Sequence, residues 1–168
     1  MRNPIVLMAF VFLVGIPALT QTGETVKTQD GLLVATLPSG WMQTKGKSYL
    51  MVQNADNNAY AMLGADDRRD YYGLNLEKYS FDRTYQILKD LTFISVSGPK
   101  RLTISGNQAI QYELNGVSGA LKVSYIITSI EAPNTFQSVV TWTTSSYLEK
   151  VRKELEMIPQ LVKEGSIK

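Results

Sequence analysis

The chain has 168 residues, is 44% hydrophobic and 19% charged, and carries a formal net charge of +2. That composition belongs to a folded domain rather than a disordered chain, and so even a balance of charge suggests no clustered basic face for nucleic acid. The absence of Cys and His excludes disulfide frameworks, tight thiolate or imidazole metal sites, and nucleophilic mechanisms that depend on a histidine base.

The chain opens with one basic side chain, Arg2, followed by twelve almost wholly apolar residues, Ile5–Ile16, and then Pro17, Ala18, Leu19 and Thr20. A charged start, a short apolar run and small residues form the pattern of a secretory signal peptide. The run falls short of the roughly 20 residues needed to span a bilayer. The reading is a signal peptide over residues 1–20, cleaved after Thr20 with Ala18 at −3, or after Ala18. An uncleaved N-terminal anchor is the alternative, and only that form would hold the protein to a membrane. No Cys follows the run, so a lipid-modified N-terminus is excluded. A cysteine-free exported chain fits the bacterial envelope, periplasmic or secreted.

Residues 21–29 are polar and read as a loose leader, with one domain over residues 30–168. Asp30-Gly31 is a turn signal, Leu32–Leu37 a strand, and Pro38-Ser39-Gly40 its end, directly before Trp41. Ser48–Gln53 and Ala59–Gly64 read as a hairpin around Asn54, Asp56, Asn57 and Asn58. Ser80–Leu91 reads as a helix. Phe81, Tyr85, Leu88 and Leu91 share one face, Ser80 is its N-cap, Asp82 lies in its first turn, and the start can lie as early as Asn75. Gly98-Pro99 breaks the chain before a short strand, Arg101–Ile104.

Gln108–Leu114 alternates as a strand, and Asn115-Gly116 is the strongest short hairpin signal in the chain. The return strand runs over Val117–Ile130, with Leu121, Val123, Tyr125 and Ile127 on one face and Ile126 and Ile130 on the other. Thr135–Trp142 repeats this two-sided pattern, so both faces of the sheet need a cover. Ser146–Glu149 has the form of a capping box with Ser146 at the N-cap. Leu148, Val151, Leu155, Ile158 and Val162 form an apolar stripe. Glu149–Lys153, Lys150–Glu154 and Arg152–Glu156 are i,i+4 pairs on the wet side, and Pro159 stops or kinks the helix near Met157. The order is strands, helix, strands, helix. It implies an α+β fold in which an antiparallel sheet is sandwiched between helices, α/β/α.

Several segments carry a family resemblance: Asp30-Gly31 with Leu33–Trp41 (LVATLPSGW), Leu76–Tyr79 with the helix after it, Leu102–Tyr112 (LTISGNQAIQY), and Tyr125–Thr143 with the helix from Ser146. Together they resemble the PsbP/DcrB-like superfamily, which joins an extrinsic photosystem II protein, a bacterial envelope protein and a Ran-binding import factor. The resemblance covers about residues 30–160. It implies a PsbP-like α/β/α sandwich and a binding or assembly role, because the family shares no catalytic site. The metal-binding histidines of some photosystem members have no counterpart here.

The densest polar and aromatic stretch is Asp66, Asp67, Arg68, Arg69, Asp70, Tyr71 and Tyr72, before Gly73. Arg pairs bidentately with carboxylate or phosphate, and Tyr offers rigid amphipathic area, so the stretch is a candidate contact loop or a plain solvated connection. Its three carboxylates lack the ligand spacing of a calcium loop. Trp41 either stacks on a ligand or packs over the sheet edge. Asn54–Asn58 offers oxygen ligands or is simply a turn. Lys45, Lys47, Lys100 and Arg101 form either a weak anionic-surface patch or scattered charge. Carboxylate pairs for acid–base work, such as Asp66 and Glu77, are available, but nothing in the sequence places them together, and no SxxK motif occurs.

The functional expectation is a non-enzymatic, exported binding or assembly-accessory protein of the bacterial cell envelope. It works through a protein-contact surface, with an envelope protein as partner, no cofactor, no tight metal and no nucleic acid. The alternatives are a photosystem-associated PsbP-like subunit and a carboxylate-dependent hydrolase.

Overall fold

The computed structural model describes residues 23–44 and 49–166. The expected signal peptide, together with Lys45 and Lys47, lies outside them. In chain order the elements are β1 (Thr25–Lys27), β2 (Leu33–Thr36), β3 (Trp41–Thr44), β4 (Leu50–Asn54), β5 (Ala59–Asp67), α1 (Leu76–Leu88), β6 (Thr92–Ile104), β7 (Asn107–Ser118), β8 (Leu121–Glu131), β9 (Thr135–Thr144), α2 (Leu148–Met157) and β10 (Val162–Glu164). Short 3-10 turns at Arg68–Tyr71 and Ile158–Leu161 follow β5 and α2.

Seven of the strands form one antiparallel sheet in the order β3-β4-β5-β9-β8-β7-β6, and β1-β2-β10 form a second, smaller one. The two-sided strands explain the layering. On β8, Ile126 and Ile130 face α2 and the small sheet, in a core that also holds Leu33, Leu63, Val139, Leu155 and Ile158. Ile127 faces the other way, with Leu114 and Val140, towards Ile87 and Leu88 of α1. The helices therefore lie on opposite faces of the large sheet, and the fold is the expected α+β sandwich. Pro159 acts as expected: α2 ends at Met157 and continues only as a 3-10 turn.

Several local expectations are corrected. The polar stretch before Asp30 is not loose throughout. Thr25–Lys27 pairs with β2 and buries Val26, because that one aliphatic residue closes the edge of the small sheet. Helix α1 starts at Leu76, capped by the Asn75 side chain, which accepts from the Lys78 N–H at 2.9 Å. Ser80 is buried mid-helix and is no cap. Leu76, Tyr79, Ser80 and Thr84 make the buried face, while Phe81 and Tyr85 are exposed and stack on each other at 6.3 Å. Small hydroxyl residues let the helix sit close to the sheet, and the larger rings are left outside.

Gly98-Pro99 does not end a strand; β6 passes through it with a shift of register between Ser97 and Lys100. An edge strand tolerates a Pro, whose missing N–H is not needed on the free side. Asn115-Gly116 is not a turn either. It lies inside β7, and the chain reverses around Gly119, at φ +61°. Gly116 suits this position because a Cβ there would crowd Leu91 at 3.2 Å, and the Asn115 carboxamide oxygen accepts from the Ser124 hydroxyl at 2.5 Å.

The capping box does not form. Tyr147 precedes α2 without a side-chain cap bond, and the Ser146 hydroxyl lies 3.3 Å from that of Thr144. The start of α2 is set instead by the turn in which Tyr147 N–H donates to the Thr144 carbonyl, and by burial of Leu148. Among the described residues, Arg152–Glu156, at 3.7 Å, is the one expected i,i+4 pair that closes.

Candidate functional site

The 66–72 stretch sits where β5 runs off the sheet into a 3-10 turn that leads to α1. Side chains alternate along β5, so Asp66 points to the α1 side of the sheet, in register with Phe136. There it becomes a hub. The Tyr79 hydroxyl donates to it at 2.7 Å, the Tyr71 hydroxyl at 3.2 Å, and the Arg83 guanidinium at 2.5 Å. Arg83 also lies over the Tyr79 ring at 5.0 Å. Burial pushes the Tyr79 hydroxyl far above its ordinary range, and the Asp66 charge adds to this. Burial opposes the Arg83 charge, but the Asp66 carboxylate bonded to it outweighs this and keeps Arg83 protonated.

The remaining charges of the stretch are committed as well. Arg69 chelates Asp67 with a 2.5 Å contact, and this hydrogen bonding holds the Asp67 carboxyl below its usual range. Arg68 pairs with Glu131 at 2.7 Å, donates to the Ala132 carbonyl at 3.2 Å and lies over the Phe136 ring at 5.1 Å. Asp70 is exposed, and Tyr72 is wholly exposed at 102%.

Two grooves flank the turn. One, of about 510 Å³, runs along α1 past Tyr49, Met62, Tyr71 and Arg83. The other, of about 480 Å³, lies between Tyr72 and the β8–β9 turn at Pro133-Asn134. Tyr71 and Leu74 border both. A shallower cleft of about 480 Å³ brings Asp30 beside Asp66, Asp67 and Asp70. Two of those carboxylates already have arginine partners, and among the described residues no group of three or more acids, His or Cys is placed to hold a metal.

The structure brings Asp66 through Tyr72 together and leaves Trp41 out. Trp41 is 7% exposed and packs in the core on the α2 side, so it has no free ring face for a ligand. Asn54–Asn58 is a turn: the Asn54 side-chain Oδ1 accepts from the Asn58 and Ala59 N–H groups. Arg101 pairs with Glu77 at 2.8 Å on the β6 flank of α1. Glu77 and Asp66 thus lie on opposite flanks of the helix and share no cleft. Sequence reading missed Tyr79 and Arg83. Their i,i+4 spacing on one helical face, next to an acid-rich strand end, was the available signal.

No family model and no curated protein matches the sequence. Solved structures do match in shape. Cyanobacterial PsbP (CyanoP) from Synechocystis sp. PCC 6803 superposes with a TM-score of 0.62 at 10% identity, over 94% of this chain and 98% of its own. LpqN of Mycobacterium tuberculosis, a protein involved in cell envelope biogenesis, superposes at 0.60 and 15% identity, over 85% and 90%. The Ran-binding protein Mog1p of Saccharomyces cerevisiae superposes at 0.58 and 11% identity, over 84% and 94%. At these identities the likeness is one of fold. The chain has the PsbP-like α/β/α fold.

Proposed function

We propose that this chain is an exported, non-enzymatic binding or assembly-accessory protein of a bacterial cell envelope, and that the 66–72 turn is its contact surface for a protein partner. The observation that carries the reading is the contrast within that turn. Its acidic and basic side chains, Asp70 apart, are neutralised by one another or by α1 and β8, whereas Tyr72 projects fully into solvent at the rim of the groove beside the β8–β9 turn. Tyrosine supplies large, rigid contact area at low entropic cost, as protein interfaces use it. Asp66 is held by an arginine and two tyrosines, and Asp67, beside it in the shallow cleft, is chelated by Arg69, so neither is a carboxylate left free for acid–base work. The signal-like leader supports export, and the fold shared with LpqN is compatible with an envelope role.

Two measurements test this. A photo-crosslinking residue placed at Tyr72 in the host should capture one discrete envelope protein, whereas the same residue at Lys153 should not. Equal, diffuse labelling from both positions overturns the contact surface. N-terminal sequencing of the protein from its host should begin between Leu19 and Glu24; recovery of intact Met1 in the membrane pellet overturns the cleaved form.

A further inference from the structure

Strand β10 ends the small sheet, with β2 on one side and, among the described residues, no strand on the other. Main-chain pairing alternates along an antiparallel ladder. The Gly165 N–H donates to the Leu32 carbonyl, and the register sets Lys163 opposite Val34, so Lys163 is the residue whose main chain bonds to β2. The main-chain groups of Val162 and Glu164 therefore point to the free side. A cleft of about 250 Å³ lies there, lined by β10 and by no described residue of β2. Its facing wall is the β6–β7 turn, where Ser105 and Gly106 have φ of +50° and +83°. Two left-handed residues make the tight two-residue hairpin turn that fixes this wall. The floor is Ile104, Ile130 and Gln137.

Gln137 is the odd member of that floor. It is 2% exposed, its neighbours in register are Ala65 and Ile130, and its Nε2 has no hydrogen-bond partner. A buried amide left unpaired opposes folding, and an apolar residue of the same shape would not. A half-turn of the carboxamide exchanges its N–H and C=O ends within one volume, so Gln137 can offer a donor or an acceptor to the cleft.

We propose that the cleft takes an extended acidic peptide segment, which adds to β10 as a fourth strand of the small sheet and brings a hydrogen-bonding side chain down to Gln137. This contact is separate from the 66–72 turn. Three features select the occupant. Free main-chain groups at strand spacing are matched by another extended backbone. The volume is that of about eight waters at about 30 Å³ each, and three strand residues are about 10 Å long, so one short strand fits and a helix does not. Lys163 stands exposed at the mouth, whereas the Glu164 carboxylate is bonded to Asn134 and Thr135, so the mouth is positive. Pairing β10 with β10 of a second copy would set Lys163 beside its own sign, but an acid on the incoming strand meets it as a favourable cross-strand pair. Side chains alternate along the added strand, so its acids lie at the mouth and the residues between them face the floor.

NMR of the whole isotope-labelled protein with two capped peptides, acetyl-TDTDT-amide and acetyl-TKTKT-amide, tests this. The acidic peptide should shift the amide signals of Glu164 and Ser105 and the side-chain amide of Gln137. It should slow exchange of the Glu164 N–H and dissociate at about 0.1–1 mM. The basic peptide should not bind. Lys163→Glu should reverse that preference, which a lost fold cannot do. Gln137→Leu should keep or raise the thermal midpoint, because the orphan amide is gone, and weaken the acidic peptide by about fivefold or more. No shift at about 5 mM acidic peptide, well above that range, overturns the proposal. So does a Lys163→Glu protein that keeps the parent's preference, or a Gln137→Leu protein that binds like the parent or has a clearly lower midpoint. Sodium acetate giving the same shifts overturns it too, since the site then takes a carboxylate alone. Crosslinking from Tyr72 reads the other contact and stands or falls separately.

Discussion

Arg152 on α2 reaches Glu113 on β7 with two hydrogen bonds, of 2.8 and 3.3 Å, and so ties the second helix to the sheet from the solvent side of its apolar stripe. Both side chains are a little over a quarter exposed. The Arg152 hydrogen bonds hold the Glu113 carboxyl below its ordinary range. A carboxylate with a lowered folded value stabilises the fold above its unfolded value, and that contribution is lost as pH falls through the folded one. Arg152→Met should therefore cost about 1 kcal/mol near neutral pH. The gap from the parent should close as pH falls through and below the ordinary carboxylate range. Urea unfolding of both proteins across that range measures it, and a gap that stays constant with pH rules out the linkage.

Asp66 is the second tie, between β5 and α1. Asp66→Asn leaves Arg83 half-buried beside a neutral group and weakens its bonds with Tyr79 and Tyr71. Breaking such a pair from one side should cost about 2–4 kcal/mol. Removing both partners, as Asp66→Asn with Arg83→Met, should cost less than the sum of the two single changes by about 1–3 kcal/mol. Denaturant unfolding of the four proteins gives the coupling directly, and strict additivity would mean that the pair is incidental.

The parts of the fold that repeat a period were legible in the sequence. The two-sided strands Leu121–Glu131 and Thr135–Thr144 and the stripe Leu148–Ile158 encode the layering in their spacing, because burial follows period 2 or 3.6 directly. Single-residue signals failed where tertiary contacts competed with them. Asn115-Gly116 has turn chemistry, but the same glycine also answers the need for space under Leu91. Phe81 and Tyr85 have helical spacing, yet the sheet beneath α1 accepts Ser80 and Thr84 instead. The 66–72 segment was visible by composition. Its hub was not, because Tyr79 and Arg83 reach Asp66 only once α1 folds back over the sheet.

Gly116 and Gly119 test which of two glycines serves the hairpin. A Cβ on Gly116 would stand 3.2 Å from Leu91 atoms and 3.3 Å from the Thr92 carbonyl oxygen, inside a strand. Gly116→Ala should cost about 1–3 kcal/mol through overpacking. Gly119 has open space and a positive φ, a conformation that Asn tolerates, so Gly119→Asn should cost under about 1 kcal/mol. Thermal unfolding ranks the two, and the reverse order would put the turn at Asn115-Gly116.

The docking of α2 fixes one further ranking. Leu155 is fully buried, between Val151 and Ile158, against strand residues such as Ile126 and Val139. Leu155→Ala removes that side chain from the middle of the stripe and should cost about 2–5 kcal/mol. Lys153 is exposed, and its loss should cost under about 0.5 kcal/mol. Ser146 has the sequence of a cap but makes no cap bond to α2. Ser146→Ala should therefore behave like Lys153→Ala, rather than losing the roughly 1 kcal/mol of a working N-cap. Denaturant unfolding of the three variants separates these cases. A loss at Ser146 as large as a cap's would mean that the capping box closes in solution. A small loss at Leu155 would mean that α2 does not carry this face of the core.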